Sequence, residues 1–296
     1  MSNILLAALV VMMITWTLPD LARLRDFSWL RTWLSRWQDV ARGDADRALL
    51  VLLVPILLVV VCALVHAFLA GVLFGLAGFA FAVAVLWYCW GPRELETDID
   101  AVLKAPDRER RVAAAQALRP DPALTPLPFE SAEVVGASFR SALARWFGVL
   151  FWFVLLGPAG AIGYRVVQLM ARNPAFSGEI DEARRTLLER CARILDWAPA
   201  HLVSLSLALV SDFDAVLGIW RNYHTDHGKG WFTLDLGFFD AVARAGVDAD
   251  VSAGDGYATD IGDPLVELAD ARRVLRRVLV VWLVVIAILV LAGWVH

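Results

Sequence analysis

The chain has 296 residues, of which 59% are hydrophobic and 20% charged, where soluble domains have about 45–50% apolar residues and about a quarter charged. That balance excludes an ordinary water-soluble globule, and a net charge of −4 gives no general attraction to nucleic acid. Windows 1–19, 48–90, 146–164 and 278–296 hold no Asp, Glu, Lys or Arg, so all 27 basic and 31 acidic residues lie elsewhere. Hydrocarbon offers the backbone no hydrogen-bond partner, so such windows read as membrane helices. Runs such as Val280-Val281-Trp282-Leu283-Val284-Val285 lack the alternation of a barrel strand.

In chain order, the first window predicts a helix over about 3–19. No basic residue precedes it, and Arg23 and Arg25 follow it. It therefore reads as a span rather than a secretory leader, with the N-terminus outside and 20–47, which holds six Arg, in the cytoplasm. As one helix the window 48–90 would be about 65 Å long, twice the hydrocarbon thickness, so it must turn back. A break near Ala70-Gly71 gives helices of about 48–67 and 71–90. His66 then lies near the turn as an interfacial residue, because neither helix offers it an acidic partner for a proton relay. Gly71, Gly75 and Gly78 read as a small-residue packing face.

Residues 91–145, with eight Lys or Arg, form a cytoplasmic segment after Gly91-Pro92. Thr97-Asp98-Ile99-Asp100 has capping-box spacing, and that helix must end by Pro106. A second helix fits 108–118, Pro120, Pro122, Pro126 and Pro128 make an extended linker, and from Ser131 a helix runs unbroken into the window at Trp146. Arg272, Arg273, Arg276 and Arg277 place the start of the last membrane helix, 278–296, inside as well. Region 146–277 must therefore return to the cytoplasm. Either the window 146–170 is re-entrant, broken at Gly157-Pro158, or a second crossing lies within 195–210. Asp196, Pro199 and His201 interrupt the latter stretch, which favours an embedded or half-buried element there.

Residues 178–197 predict an amphipathic helix with Ile180, Ala183, Leu187, Cys191, Ile194 and Leu195 on one face and i,i+4 pairs Asp181/Arg185 and Glu189/Arg193 on the other. It packs on either a domain core or the membrane surface, and its balanced charges favour the core. Ser211-Asp212-Phe213-Asp214 is a second capping-box spacing, and 245–271, without a basic residue, reads as a loose acidic loop.

Chemical motifs are sparse. Cys62, Cys89 and Cys191 form no CxxC pair, so neither a disulfide framework nor a zinc site follows. Asp248, Asp250 and Ser252 have the start of a calcium-loop spacing, but Ala253 and Thr259 stand where Gly and a bidentate Glu are needed. His224, Asp226 and His227 read as a solvated loop rather than a metal site, and no metal site is assigned. Gly228-Lys229 lacks the remainder of a P-loop. Gly157, Gly160 and Gly163 fit helix packing rather than dinucleotide binding. Arg165 is the strongest single candidate: a cation at the end of a membrane window either has a task or reaches up to lipid phosphate. Asp196 either ends a helix or completes a site with Arg165.

Three stretches, in order, resemble the AmpE branch of the CobD/CbiB superfamily. They are Gly91-Pro92-Arg93-Glu94-Leu95-Glu96-Thr97-Asp98-Ile99-Asp100-Ala101-Val102-Leu103, then Val149-Leu150-Phe151-Trp152-Phe153-Val154-Leu155-Leu156-Gly157-Pro158-Ala159-Gly160-Ala161 leading into Tyr164-Arg165, and Leu195-Asp196-Trp197-Ala198-Pro199-Ala200-His201-Leu202 followed by Asp212-Phe213-Asp214-Ala215 and Trp220-Arg221. The resemblance implies an inner-membrane protein of β-lactamase induction and peptidoglycan recycling. It implies ligand- or anion-binding roles for Arg93, Arg165, Asp196 and His201, with Gly157, Pro158, Gly160 and Pro199 as structural positions. The related synthases join an aminopropanol unit to a corrinoid carboxylate using ATP. Where they carry a Glu-Asn pair and an Asp, this chain has Arg140, Ser141 and Ala144, and an Arg of theirs is His201. Those changes remove groups that would hold Mg²⁺ and phosphate.

The expectation is thus an all-α polytopic protein of the bacterial inner membrane, with four to five membrane helices and a mostly helical cytoplasmic portion. Its divisions are 1–90, 91–145, 146–277 and 278–296. Its partners are the lipid bilayer, a muropeptide or other small ligand, and a protein of cell-wall signalling, with no nucleic acid. The alternative is a divergent ATP-dependent amide-forming synthase using Mg-ATP. A transporter is the weakest reading, because the charge-free windows offer no ion pathway.

Overall fold

The computed structural model describes residues 3–40, 44–91, 94–119, 126–176, 180, 182–226, 230, 232–253 and 262–293. Among them every regular element is a helix. Helices α1 (Asn3–Thr17), α2 (Ser28–Val40), α3 (Asp44–Ala70) and α4 (Leu76–Cys89) are followed by α5 (Leu95–Lys104), α6 (Arg108–Ala115), α7 (Ser131–Ala142) and α8 (Gly148–Arg172). Then come α9 (Glu182–Val210), α10 (Phe213–Asp226), α11 (Gly237–Ser252) and α12 (Pro264–Leu291). Five helical stretches are long and apolar enough to cross a membrane: Leu53–Ala70, Val72–Cys89, Ser131–Arg172, Arg184–Val210 and Pro264–Leu291. The chain is an all-α, multi-pass membrane protein.

Two compact units interleave along it. The first comprises Met1–Pro92, Gly148–Ala192 and Ile286–His296, and the second Arg93–Phe147 and Arg193–Val285.

In the first unit, α3 and α4 form the hairpin expected from window length. The turn runs through Leu73 (φ 50°), Phe74 (φ 56°) and Gly75 (φ 88°), and Leu73 and Phe74 are exposed. Gly78 is the packing glycine, because a Cβ there would come 3.1 Å from the Ala70 Cα. Gly71 has open space around it and Gly75 serves the turn, so the expected three-glycine face reduces to one residue. His66 lies in the last turns of α3, and its ring stacks on Phe81 across the hairpin at 6.2 Å. Leu53, Ile56, Leu57, Val60, Leu64 and Phe68 stay exposed at helical spacing, an outer face of α3 suited to lipid.

Helix α8 is the decisive element. Gly157 has φ 65° and ψ −153°, a region essentially reserved for glycine, and Pro158 cannot donate to the preceding turn. Residues 152 and 160 would be about 12 Å apart in a straight helix, yet a Cβ on Gly160 would overlap the Trp152 carbonyl. Likewise a Cβ on Gly148 would overlap the Tyr164 ring. Contacts pairing 148 with 164 and 152 with 160 can arise only if the arms 148–156 and 158–172 lie antiparallel. The chain does break at Gly157-Pro158, so the 42-residue stretch 131–172 is not one straight span, and Arg184–Val210 is also long and apolar enough to cross a membrane. Gly163 faces Val59 of α3, whose Cγ2 would lie 2.6 Å from a Cβ at that position, so Gly160 and Gly163 do serve close packing.

The first unit's core joins Leu30 and Leu34 of α2, Val51 and Val54 of α3, Val166 and Met170 of the second α8 arm, Phe176, Ile180, and Leu188 and Ala192 of α9. The amphipathic helix therefore packs on a core, but its buried face is turned from the expected one. Leu187 and Ile194 are 42% and 52% exposed, whereas Leu188 and Ala192 are buried. Nor does the helix stop near Asp196: it runs on to Val210. In its later turns Leu202, Leu205 and Leu209 are exposed, and Arg184–Val210 is long and apolar enough to cross a membrane.

In the second unit, Leu95, Ile99 and Val102 of α5, Val135 and Phe139 of α7, Phe239, Val242 and Ala243 of α11, and Leu268 and Val274 of α12 are buried, with Phe139 edge-on to Phe239 at 6.4 Å. The acidic loop expected over 245–271 is a correction. Residues 245–252 belong to α11 and 264–271 to α12, while 254–261 lie outside the described residues, so Asp248, Asp250 and Ser252 sit on a helix and cannot wrap a calcium ion. His224 is likewise on α10 and buried at 3%, while His227, Gly228 and Lys229 lie outside the described residues.

Replacing Gly157 with Ala should lower stability by about 1–3 kcal/mol, because alanine cannot occupy that backbone conformation without strain. Thermal unfolding in detergent measures this, and an unchanged melting temperature would contradict the fold-back.

Candidate functional site

The last carbonyls of a helix have no partner within it and carry the negative end of its dipole. At the end of α4 two arginines meet them. Arg165 Nε donates to the Cys89 carbonyl at 2.8 Å, and one Arg25 terminal nitrogen donates to the Gly91 carbonyl at 3.1 Å. The other donates to Thr15 Oγ1 at 3.0 Å, and the guanidinium lies 5.0 Å from the Trp87 ring centroid, a cation–π contact. Arg165 is 4% exposed and Arg25 3%. Arg165 thus points into the first unit, which excludes the expected reach to lipid phosphate. Close by, the Tyr88 hydroxyl accepts from Trp29 Nε1 at 2.9 Å and donates to the Asp26 carbonyl.

Asp196 and His201 belong to the second unit and Arg165 to the first. Asp196, 1% exposed, is interior to α9 rather than at its end. One turn on, His201 Nδ1 lies 2.7 Å from the Trp197 carbonyl. A carbonyl only accepts, so Nδ1 carries a proton. Nε2 is buried without a hydrogen-bond partner. The ring lies 4.4 Å from Trp197, 4.6 Å from Phe238, 5.7 Å from Trp220 and 6.2 Å from His224, and His224 Nδ1 contacts the Trp220 carbonyl in the same manner at 2.8 Å. Pro199 sits inside the helix and lacks the N–H that would meet the Leu195 carbonyl. Arg93 lies outside the described residues.

The sequence reading missed the second unit's ionic framework. Asp98, read as part of a capping box, does not cap α5: that helix begins at Leu95, and Asp98 accepts from Arg145 at 2.6 Å with both groups buried. Arg145 lies in the π-helical turn Leu143–Phe147 and also donates to the Ala117 carbonyl at 2.8 Å. Arg140, placed where the synthases carry polar residues, pairs with Asp240 of α11. Arg277 meets Asp250 at 3.0 Å, and the Ser211 hydroxyl donates to the Gly246 carbonyl at 2.6 Å with Asp250 Oδ1 3.2 Å away. The capping role expected of Ser211 falls to Asp212, which accepts from the Ala215 N–H.

Arg276 engages Glu96 through two 2.7 Å bonds, and Arg272 meets Asp100 at 2.7 Å. Glu96 and Asp100 are one turn apart, as are Arg272 and Arg276, so α5 and α12 present matched charges in antiparallel order. That shared spacing of four was the available sequence signal. Hydrogen bonding from Lys104, supported by Arg272, holds the Asp100 carboxyl below its ordinary range. Burial pushes Asp240 up despite Arg140, and burial likewise raises Asp248. Among the described residues no three His, Cys, Asp or Glu side chains come together as a metal site.

No family model matches the chain, and neither a curated protein nor a solved structure matches it.

Removing one member of the buried Asp98/Arg145 pair, as in Arg145→Met, should cost about 3–5 kcal/mol, whereas Arg145→Met with Asp98→Leu should recover most of it. Denaturation of the single and double variants tests this, and equal losses would contradict a buried pair. A carboxyl with a depressed pKa stabilises the fold above its unfolded value of about 3.9 and ceases to do so as pH falls through the folded value. Asp100→Asn should therefore lower the melting temperature at pH 7, and the gap to wild type should close as the solution is acidified below about pH 4. A gap independent of pH would count against the assignment.

Proposed function

We propose that this protein is an AmpE-like component of the bacterial inner membrane, acting in β-lactamase induction and peptidoglycan recycling without catalysis of its own. The ordered motifs over 91–100, 155–165 and 195–202 support the reading, as does the antiparallel closure of α8 at Gly157-Pro158. A chain that turns back there returns to the side it came from, which reconciles the arginine-rich segment before α8 with the arginines that open α12, both cytoplasmic by the excess of positive charge. Helix α9 then lies half-buried rather than crossing.

The observation that carries the non-catalytic part is how the charged groups are used. Arg165 Nε is committed to the Cys89 carbonyl, and Asp98, Asp240, Asp250 and Asp270 each face an arginine. A synthase needs such carboxylates to gather Mg²⁺ and such a guanidinium to meet phosphate.

Deleting the gene in a strain with an inducible β-lactamase should alter induction, and the intact gene should restore it. Identical induction with and without the gene would reject the signalling role. A companion measurement addresses catalysis: saturation with Mg-ATP at a hundred times Kd would stabilise a binder by about 2.7 kcal/mol. No such shift is expected, and one that Arg165→Ala abolishes would favour the synthase.

A further inference from the structure

Apart from that role, the second unit contains a cavity of about 630 Å³ where the start of α7 meets Arg108 and Arg111 of α6, Arg244 of α11 and the start of α12. Its size suits a small molecule. We propose that it binds a small phosphate monoester, with the phosphoryl group at the start of α7.

The first N–H groups of a helix have no intrahelical acceptor and favour an anion. At α7 no side chain takes that place: Glu130 occupies the capping position without bonding, and the first bond of the helix is from the Val134 N–H to the Glu130 carbonyl. Ser131 lines the cavity, is 7% exposed, and its buried hydroxyl has no partner. A buried, unsatisfied hydroxyl is unfavourable, and a ligand oxygen would relieve it. The start of α12 differs, since Asp263 already accepts from the Leu265 N–H.

Around this point the arginines retain donors. Arg108 is exposed and has no ion pair among the described residues. Arg111 uses Nε on the Ala105 carbonyl, and Arg244 approaches Asp248 only through Nε, at 3.5 Å. Three guanidinium groups, a hydroxyl and helix N–H groups, from α6, α7 and α11, line the one cavity. That donor set fits the several oxygens of a tetrahedral dianion better than a planar carboxylate. Phe129 adds an apolar wall for the organic part, and Asp263 is held by its capping bond.

Phosphate and glucose 1-phosphate serve as probes for the full-length protein in phosphatidylcholine nanodiscs, at ionic strength fixed with sodium chloride, by calorimetry and thermal unfolding. Both should bind, glucose 1-phosphate more tightly. Arg108→Gln with Arg244→Gln, both at exposed positions, should weaken binding at least tenfold while leaving the unliganded melting temperature unchanged. Ser131→Ala should weaken binding several-fold yet leave the unliganded protein as stable or more so, a combination a purely structural serine would not produce. Absence of phosphate-dependent heat and stabilisation beyond chloride, or equal binding by the double variant, would overturn the proposal. In nanodiscs containing phosphatidylglycerol, phosphate affinity should persist. Its loss would give the pocket to a lipid headgroup and overturn the soluble ligand.

Discussion

A guanidinium cannot shed its charge at any pH a protein tolerates, so each arginine carried out of water must be met by oxygen already fixed in place. Arg25, Arg145 and Arg165 are all buried, and the fold is arranged around that requirement. In the first unit the oxygens are carbonyls at the end of α4, which have no partner in their own helix. The arginines therefore end that helix and bind α1, the following turn and the second α8 arm to it in one step. In the second unit the oxygens belong mainly to carboxylates on α5, α11 and α12.

The two solutions have different consequences. A carbonyl cannot titrate, so the α4 end keeps its geometry across pH. A carboxylate can, and the second unit holds groups moved in opposite senses: Asp100 is lowered by Lys104 and Arg272 while Asp240 is raised by burial. For Asp100 hydrogen bonding from Lys104, with Arg272 in support, outweighs desolvation, and for Asp240 desolvation outweighs the Arg140 contact.

Elements set by length and backbone sterics were legible in the sequence. A charge-free window twice the membrane thickness had to turn, and it turns beside Gly71. Gly157-Pro158 offered the one break in its window, because glycine alone reaches φ 65°, ψ −153° and proline cannot close the previous turn. Facing and pairing were not legible. The buried face of α9 is displaced by one residue because α2 and α3 approach it from a direction that apolar spacing within α9 does not encode. Asp98 satisfies a local capping pattern, yet its partner lies 47 residues away, beyond the reach of local rules. Residues 245–271 looked unstructured because they lack basic residues, but their counter-charges sit just outside the segment, on Arg244 for Asp248, Arg273 for Asp270 and Arg277 for Asp250.

The candidate residues divide along the same line. Arg165 was singled out because a cation in an apolar window is costly, and the cost is real, but a helix end meets it. His201 drew notice as an interruption of an apolar stretch and as a substitution in a resembling motif. Its environment, a buried Nε2 without a hydrogen-bond partner in a ring packed near Trp197, Trp220 and Phe238, comes from α9, α10 and α11 together. The cavity at α7 was invisible for a further reason: its parts are separately ordinary, three arginines and a serine on different elements. What distinguishes it is an incompleteness that only three dimensions reveal. The buried arginines of this protein have found their oxygens, whereas here arginines line a cavity beside a buried Ser131 hydroxyl that has no partner.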